Sequence, residues 1–287
     1  MSILIDGLTH IYSEGLPYQS VALDSVSFDI EDGEFAGIIG HTGSGKSTLV
    51  QHLNGLLKPK SGSITINGVD ITKSGIPMRD VRRKVGLVFQ YPEYQLFEES
   101  VYKDVAFGPM NLGLAADEIE SCVREAMELV GLDFNEISDR SPFELSGGQK
   151  RRAAIAGVIA MKPEILILDE PTAGLDPKTH KEVLSMIAGI HKVTGNITIL
   201  VSHNMSDIAE YCGKILVLEK GRVLMQGTAS EVFMHRGELL SSGLGIPPVM
   251  DFMHSLAEGG LDVRTDIIGF AAAAGEIAGA LRRRKNI

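Results

Sequence analysis

Residues 34–53, EFAGIIGHTGSGKSTLVQHL, restrict what this chain can fold into more than any other stretch. An apolar run, Phe35 to Ile39, enters a glycine-rich turn, and the turn enters a segment whose Leu49, Val50, Leu53 and Leu57 recur at helical spacing. Gly40, His41, Thr42, Gly43, Ser44, Gly45, Lys46 and Ser47, followed by Thr48, fit the phosphate-loop pattern between the strand and the helix that its mechanism requires. Glycines let backbone N–H groups curl around a β-phosphate, Lys46 neutralises β and γ oxygens, and the Ser47 hydroxyl faces Mg2+. A strand that ends in such a loop belongs inside an α/β sheet, and the other segments have to be laid around it.

Further strands are ILILDE from Ile165, NITILVS from Asn196 and KILVLE from Lys214, with Val183, Leu184, Ile187 and Ile190 tracing a helix between the first two. Strands alternating with helices predict a parallel sheet. The four apolar residues Ile165 to Leu168 bury a central strand, so Asp169 emerges at its carboxyl end beside the metal and phosphates. Glu170, one residue on, is placed to take a proton from an attacking water. Residues 2–30 alternate instead, most clearly at Val26, Phe28 and Ile30, and predict an antiparallel sheet before the Asp32-Gly33 turn. Ile64 and Ile66 alternate before Asn67-Gly68, KVGLVF from Lys84 is a buried strand, and Lys58-Pro59 is expected to end the phosphate-loop helix. A hairpin is predicted around Lys220-Gly221, then a helix with Thr228 and Glu231 as its capping box.

From Tyr91 to about Pro163 strand patterns disappear, and Ile119, Val123, Met127 and Val130 share one helical face. This predicts a helical insertion, although Ala115 and Ala116 stand where a capping Ser or Asp is usual. Beyond Phe233, GELLSSGLGIPP reads as a connector to an amphipathic segment (Val249, Phe252, Met253, Leu256) and an alanine-rich helix ending in RRRK. The expected division is residues 1–232 and a small helical appendage, 233–287.

The 27 basic and 37 acidic residues leave a net charge of −10, the wrong sign for long-range attraction to nucleic acid. Cys122 and Cys212 have no metal or disulfide spacing. The amino terminus lacks a signal-peptide pattern, and the longest apolar runs fall short of the ~20 residues of a membrane span. A cytoplasmic chain without its own anchor is expected.

LSGGQ, Leu145 to Gln149, puts Ser146, Gly147, Gly148 and Gln149 at the start of a helix, where free N–H groups and the dipole favour an anion. With GHTGSGKS, LDEPTAGLDP and Ser202-His203, it resembles the ATP-binding cassette (ABC) ATPases over residues 2 to about 232. The resemblance implies a phosphate-loop α/β core with an antiparallel β subdomain, a helical signature subdomain and a C-terminal helical appendage. It also implies two cassettes paired head to tail, with ATP between the phosphate loop of one and LSGGQ of the other. Gln90 would then contact Mg2+ and water, Asp176 would communicate across the interface, and His203 would touch the γ-phosphate. Tyr12 resembles the aromatic that stacks on adenine, with Tyr18 its rival. Taken without the family, Gln90 reads as a surface residue, Asp176 as a helix start and His203 as a helix cap.

YPEYQLFEE, residues 91–99, resembles the ATPases of energy-coupling factor (ECF) transporters, and together with HTGSGKST and RSPFELSGGQKRR it resembles their second ATPase type. This implies a short helix against the membrane subunit, with Tyr91, Glu93, Tyr94, Gln95 and Phe97 as docking residues and the acids pairing with partner arginines. It further implies a second ATPase chain, different or identical, a transmembrane coupling subunit, indirect contact with a substrate-binding subunit, and a peripheral position on the cytoplasmic face. The task would be ATP-driven uptake of a vitamin or other micronutrient. An ATPase of another importer type, or one acting on nucleic acid, is the alternative. The absence of heptads argues against the chromosomal members, and LSGGQ has no job in a small-molecule kinase.

Overall fold

The computed structural model describes residues 2–285, the last of them in backbone only, so the side chain of Lys285 in the basic run lies outside the described part. One sheet has six strands in the order β10-β9-β3-β8-β7-β6. Here β3 is Phe35–Ile39, β6 Val85–Val88, β7 Ile165–Asp169, β8 Ile197–Val201, β9 Lys214–Glu219 and β10 Arg222–Thr228. Every pairing from β9 to β6 is parallel, and only the β10 edge is antiparallel. β10 joins β9 through Lys220 and Gly221, both at positive φ, as a tight hairpin turn needs. The second sheet is antiparallel, ordered β2-β1-β4-β5, from β1 (Ile3–Tyr12), β2 (Ser20–Ile30), β4 (Ser61–Ile66) and β5 (Val69–Asp70).

The parallel sheet is buried on both faces, which is why its strands read as near-continuous apolar runs. Along β7, Ile165 and Ile167 pack toward the antiparallel sheet with Ile3, Ile5 and Leu23, while Leu166 and Leu168 pack toward helices with Ile155 and Ile187. The helices are α1 (Lys46–Leu53), α2 (Met78–Lys84), α3 (Val101–Asn111), α4 (Ala116–Leu129), α5 (Phe134–Ile137), α6 (Gly147–Ile159), α7 (Pro177–Thr194) and α8 (Met205–Tyr211). Four more follow the hairpin: α9 (Ala229–Met234), α10 (Arg236–Ser241), α11 (Pro248–Glu258) and α12 (Phe270–Lys285). Among the described residues no helix is long and apolar enough to cross a membrane.

Three details differ from the sequence expectation or refine it. Helix α1 stops at Leu53, ahead of Lys58-Pro59, because Gly55 turns left-handed (φ +68°) and the Leu56 N–H folds back onto the Gln51 carbonyl. Leu57 is therefore not on its face. Helix α4 does start at Ala116, held by half of a capping box in which the Ala115 N–H donates to Glu118 Oε2 at 3.0 Å. The GELLSSGLGIPP stretch contains all of α10 but its first residue, Arg236, and its Leu239, Leu244 and Ile246 join the main core, whereas Met253, Ile267 and Ala273 form a small separate cluster.

Both cysteines are free and buried, and burial pushes the Cys212 thiol far above its ordinary range. Each fills space as a small apolar group.

Candidate nucleotide site

Because β3, β6, β7 and β8 run in parallel, the residues leaving their carboxyl ends meet along one edge of the sheet. β3 delivers the phosphate loop, β6 Gln90, β7 Asp169 with Glu170, and β8 His203. All of these line one cleft of about 870 Å3, together with Tyr12. Tyr18, 71% exposed, does not line it.

The loop's shape depends on glycine at two places. A Cβ on Gly40 would collide with the Ser44 hydroxyl and the Leu218 carbonyl. Gly45 sits at φ +103°, and a Cβ there would stand 2.5 Å from the Ala22 carbonyl oxygen. Gly45→Ala is expected to push the loop off β2 and weaken nucleotide binding at least ~10-fold at about 1.4 kcal/mol of displaced loop, measured by titration with ADP. Ser44 alone of the loop does not face the cleft; its N–H donates to the His41 carbonyl and its hydroxyl is buried beneath with no partner.

Lys46 donates from Nζ to the carbonyls of Gly40 (2.6 Å) and His41 (3.0 Å), which holds the loop curled. Burial pulls its pKa down, opposed by the charges of Glu170 and Asp169. Asp169 is itself buried, and that desolvation raises its pKa against the Ser47 hydrogen bond and the Lys46 charge. A cation placed here would favour the ionised carboxylate. Among the described residues no cluster of three His, Cys, Asp or Glu could hold a metal alone. The oxygens of Ser47, Asp169 and Gln90 nevertheless suit Mg2+, which binds through one or two carboxylates and takes its remaining ligands from phosphates and water.

Glu170 adopts φ +50°, a strained conformation for a side-chain-bearing residue, while its N–H donates to the Val201 carbonyl at 3.0 Å. His203 Nδ1 lies 2.8 Å from Glu170 Oε2. His203 does not cap the following helix; Asn204 does, its side chain accepting from the N–H groups of Ser206 and Asp207.

LSGGQ stays outside this cleft. Ser146 caps α6, its Oγ accepting from the Gln149 N–H while Gln149 Oε1 accepts from the Ser146 N–H, and Gly147 and Gly148 open the helix. Asp176 is also absent from the cleft and caps α7 by accepting from the N–H groups of Lys178 and Thr179; the Thr179 side chain first, and these N–H groups after it, keep its pKa low.

Pro92–Gln95 forms a single 3-10 turn entered through a left-handed Tyr91 (φ +55°). Tyr94 is 83% exposed, and Gln95 and Phe97 line a groove of about 670 Å3 with Leu56, Arg79 and Phe107. Glu93 behaves otherwise than expected. Both its carboxylate oxygens accept from Arg151 of α6, at 2.6 and 2.9 Å, so its charge is spent within the chain and is not free for a partner arginine. Arg151 also donates to the carbonyls of Pro171 and Ala173, just beyond Glu170.

In sequence Arg151 is indistinguishable from its basic neighbours Lys150 and Arg152, which read together as a solvated face. Ser20, Val21 and Ala22 of β2, and Gly243, Leu244 and Gly245 after α10, also line the nucleotide cleft, and no local pattern marks them.

The family model described as ABC transporter matches residues 23–173. The energy-coupling factor transporter ATP-binding protein EcfA2 of Caldanaerobacter subterraneus is 54% identical over 287 residues, covering 100% of both chains. That of Clostridioides difficile is 54% identical over 285 residues, covering 99% of each. Among solved structures, cbiO1 from Clostridium perfringens, described as part of the ABC transporter complex cbiONQ, is 39% identical with a TM-score of 0.73, covering 83% of this chain and 93% of that one. The dimeric post-hydrolysis structure of the cassette MJ0796 with ADP and Pi is 26% identical with a TM-score of 0.69, covering 79% and 98%.

Proposed function

The chain belongs to the ABC transporter family, as an ATP-binding subunit of the energy-coupling factor type that hydrolyses ATP, and from that premise we propose how its cleft and surfaces divide the work. The single observation that carries the proposal is that phosphate loop, Gln90, Asp169, Glu170 and His203 share one cleft from which LSGGQ of the same chain is excluded. A signature that cannot reach its own nucleotide completes the site of another chain.

In this reading the phosphate-loop amides and Lys46 hold the β- and γ-phosphates, and Tyr12 stacks on the adenine. Ser47, Asp169 and Gln90 would hold Mg2+, which when bound neutralises charge on the phosphate oxygens. Glu170 takes a proton from water as the water oxygen bonds to the γ-phosphorus and the bond to the ADP oxygen breaks. His203, hydrogen-bonded to Glu170, orients that carboxylate and reaches toward the γ-phosphate. Ser146, Gly147, Gly148 and Gln149 of a facing ATPase, different or identical in sequence, close over the nucleotide, and its Asp176 borders the interface. ATP favours the closed pair because only that arrangement supplies amides from both chains.

Tyr91, Tyr94, Gln95 and Phe97 face a transmembrane coupling subunit at the cytoplasmic side of the membrane, and residues 233–287 steady the ATPase pair. The coupled task is uptake of a vitamin or other micronutrient, chosen by a separate substrate-binding subunit.

Two experiments test this. Light scattering of the chain mixed with its cognate ATPase should show ATP-dependent pairing when turnover is blocked; association indifferent to nucleotide would overturn the composite site. Replacing Tyr94 and Phe97 together by Ala should cut recovery of the membrane subunit about 10-fold or more, two exposed aromatic anchors being worth roughly 2 kcal/mol or more, with ADP binding intact. Undiminished co-purification would remove the docking assignment.

A further inference from the structure

Behind Tyr12 lies a chain of polar contacts that the hydrolytic machinery does not use. His52 is 1% exposed on α1, one turn beyond Thr48, and its Nδ1 lies 2.7 Å from the Thr48 carbonyl oxygen, so that nitrogen carries the proton. Burial lowers the His52 pKa, which leaves Nε2 as an acceptor, and His10 Nδ1 donates to it at 3.1 Å. The His10 ring in turn stands edge-on to the Tyr12 ring, with centroids 4.5 Å apart at 74°. Finally the Tyr12 hydroxyl is 3.2 Å from Thr48 Oγ1, which closes the circuit on the helix where it began.

Tyr12 needs such support. It is the last residue of β1, half-exposed, paired with Ser20 just before an exposed loop, and the strand alone leaves its ring free to turn. Thr48 and His52 belong to the phosphate-loop helix, His10 and Tyr12 to the antiparallel sheet. We propose that His10 and His52 are positioning residues for the nucleotide base: they fix Tyr12 to helix α1, so that base and phosphates are bound in one rigid frame. The proposal rests on the reading that Tyr12 stacks on adenine.

Base-dependent affinity separates this role from a structural one, because ADP engages both Tyr12 and the phosphate loop whereas inorganic pyrophosphate engages the loop alone. Titrations of the full chain with each, in Mg2+, should find that Tyr12→Ala weakens ADP about 10-fold, the loss of one stacked base, and leaves pyrophosphate unchanged. His10→Ala should weaken ADP about threefold, again sparing pyrophosphate, and His10→Phe should recover only part of this, because it keeps the ring edge against Tyr12 but cannot hydrogen-bond His52 Nε2. In the Tyr12→Ala background His10→Ala should have no further effect. If Tyr12→Ala leaves ADP binding unchanged, the stacking reading fails and takes this inference with it. If Tyr12→Ala acts as expected but His10→Ala is silent, or weakens ADP and pyrophosphate alike, the stacking reading stands and the positioning role is overturned.

Discussion

Glu170→Gln should lower ATP turnover by about 10²- to 10⁴-fold, the range for removing a general base, while ATP remains bound and locked pairs accumulate. Glutamine keeps the size of the side chain and an oxygen able to accept from His203 Nδ1, and the strained backbone at φ +50° is the same for both residues. Only the capacity to take a proton is lost. The check is paired: phosphate release for turnover, and light scattering with cognate ATPase for the trapped complex. Turnover within threefold of the parent would mean that the proton leaves the water by another route.

Arg151→Ala is expected to be the most destabilising single change near the site. The side chain is 1% exposed and makes four hydrogen bonds: two to Glu93 and one each to the carbonyls of Pro171 and Ala173. Removing it strands a largely buried carboxylate and two carbonyls, a loss of about 3–5 kcal/mol, equivalent to a fall on the order of 10 °C in Tm for a chain of this size. Thermal unfolding measures it, and a fall of under ~2 °C would mean that water replaces the guanidinium at little cost. The double variant Arg151→Met, Glu93→Leu removes both charges and should regain part of the stability. It would still lack the link between the Pro92–Gln95 turn, α6 behind LSGGQ, and the segment after Glu170. With ADP binding preserved and transport lost in the assembled complex, that variant would assign the link to coupling.

Much of this architecture was legible beforehand for a definite reason. Strands β3 and β7 are buried on both faces, and four or more consecutive apolar residues between turn signals have few other destinations; β8 is buried likewise, with Thr198 its one polar residue. The Lys220-Gly221 turn and the Thr228–Glu231 cap were readable because each is settled within four residues. The end of α1 is set by Gly55 and not by Pro59, because a left-handed glycine closes a helix as firmly as proline blocks one.

What the sequence determined by itself is the chemistry available: a loop that curls around phosphate, acids at a strand end, a glycine-opened helix that attracts an anion. Each is specified by a few contiguous residues, since backbone conformation and side-chain type act over that range. Only the tertiary structure decided which of these groups share a cleft, that LSGGQ is held away from it, that Glu93 turns inward to Arg151, and that Gly243 to Gly245 reach the nucleotide site. Those outcomes depend on partners far apart along the chain, 33 positions for Glu170 and His203 and 58 for Glu93 and Arg151, brought together by sheet order and helix packing. A local pattern carries no record of such pairings, because a buried ion pair and a solvated one are written with the same two residues.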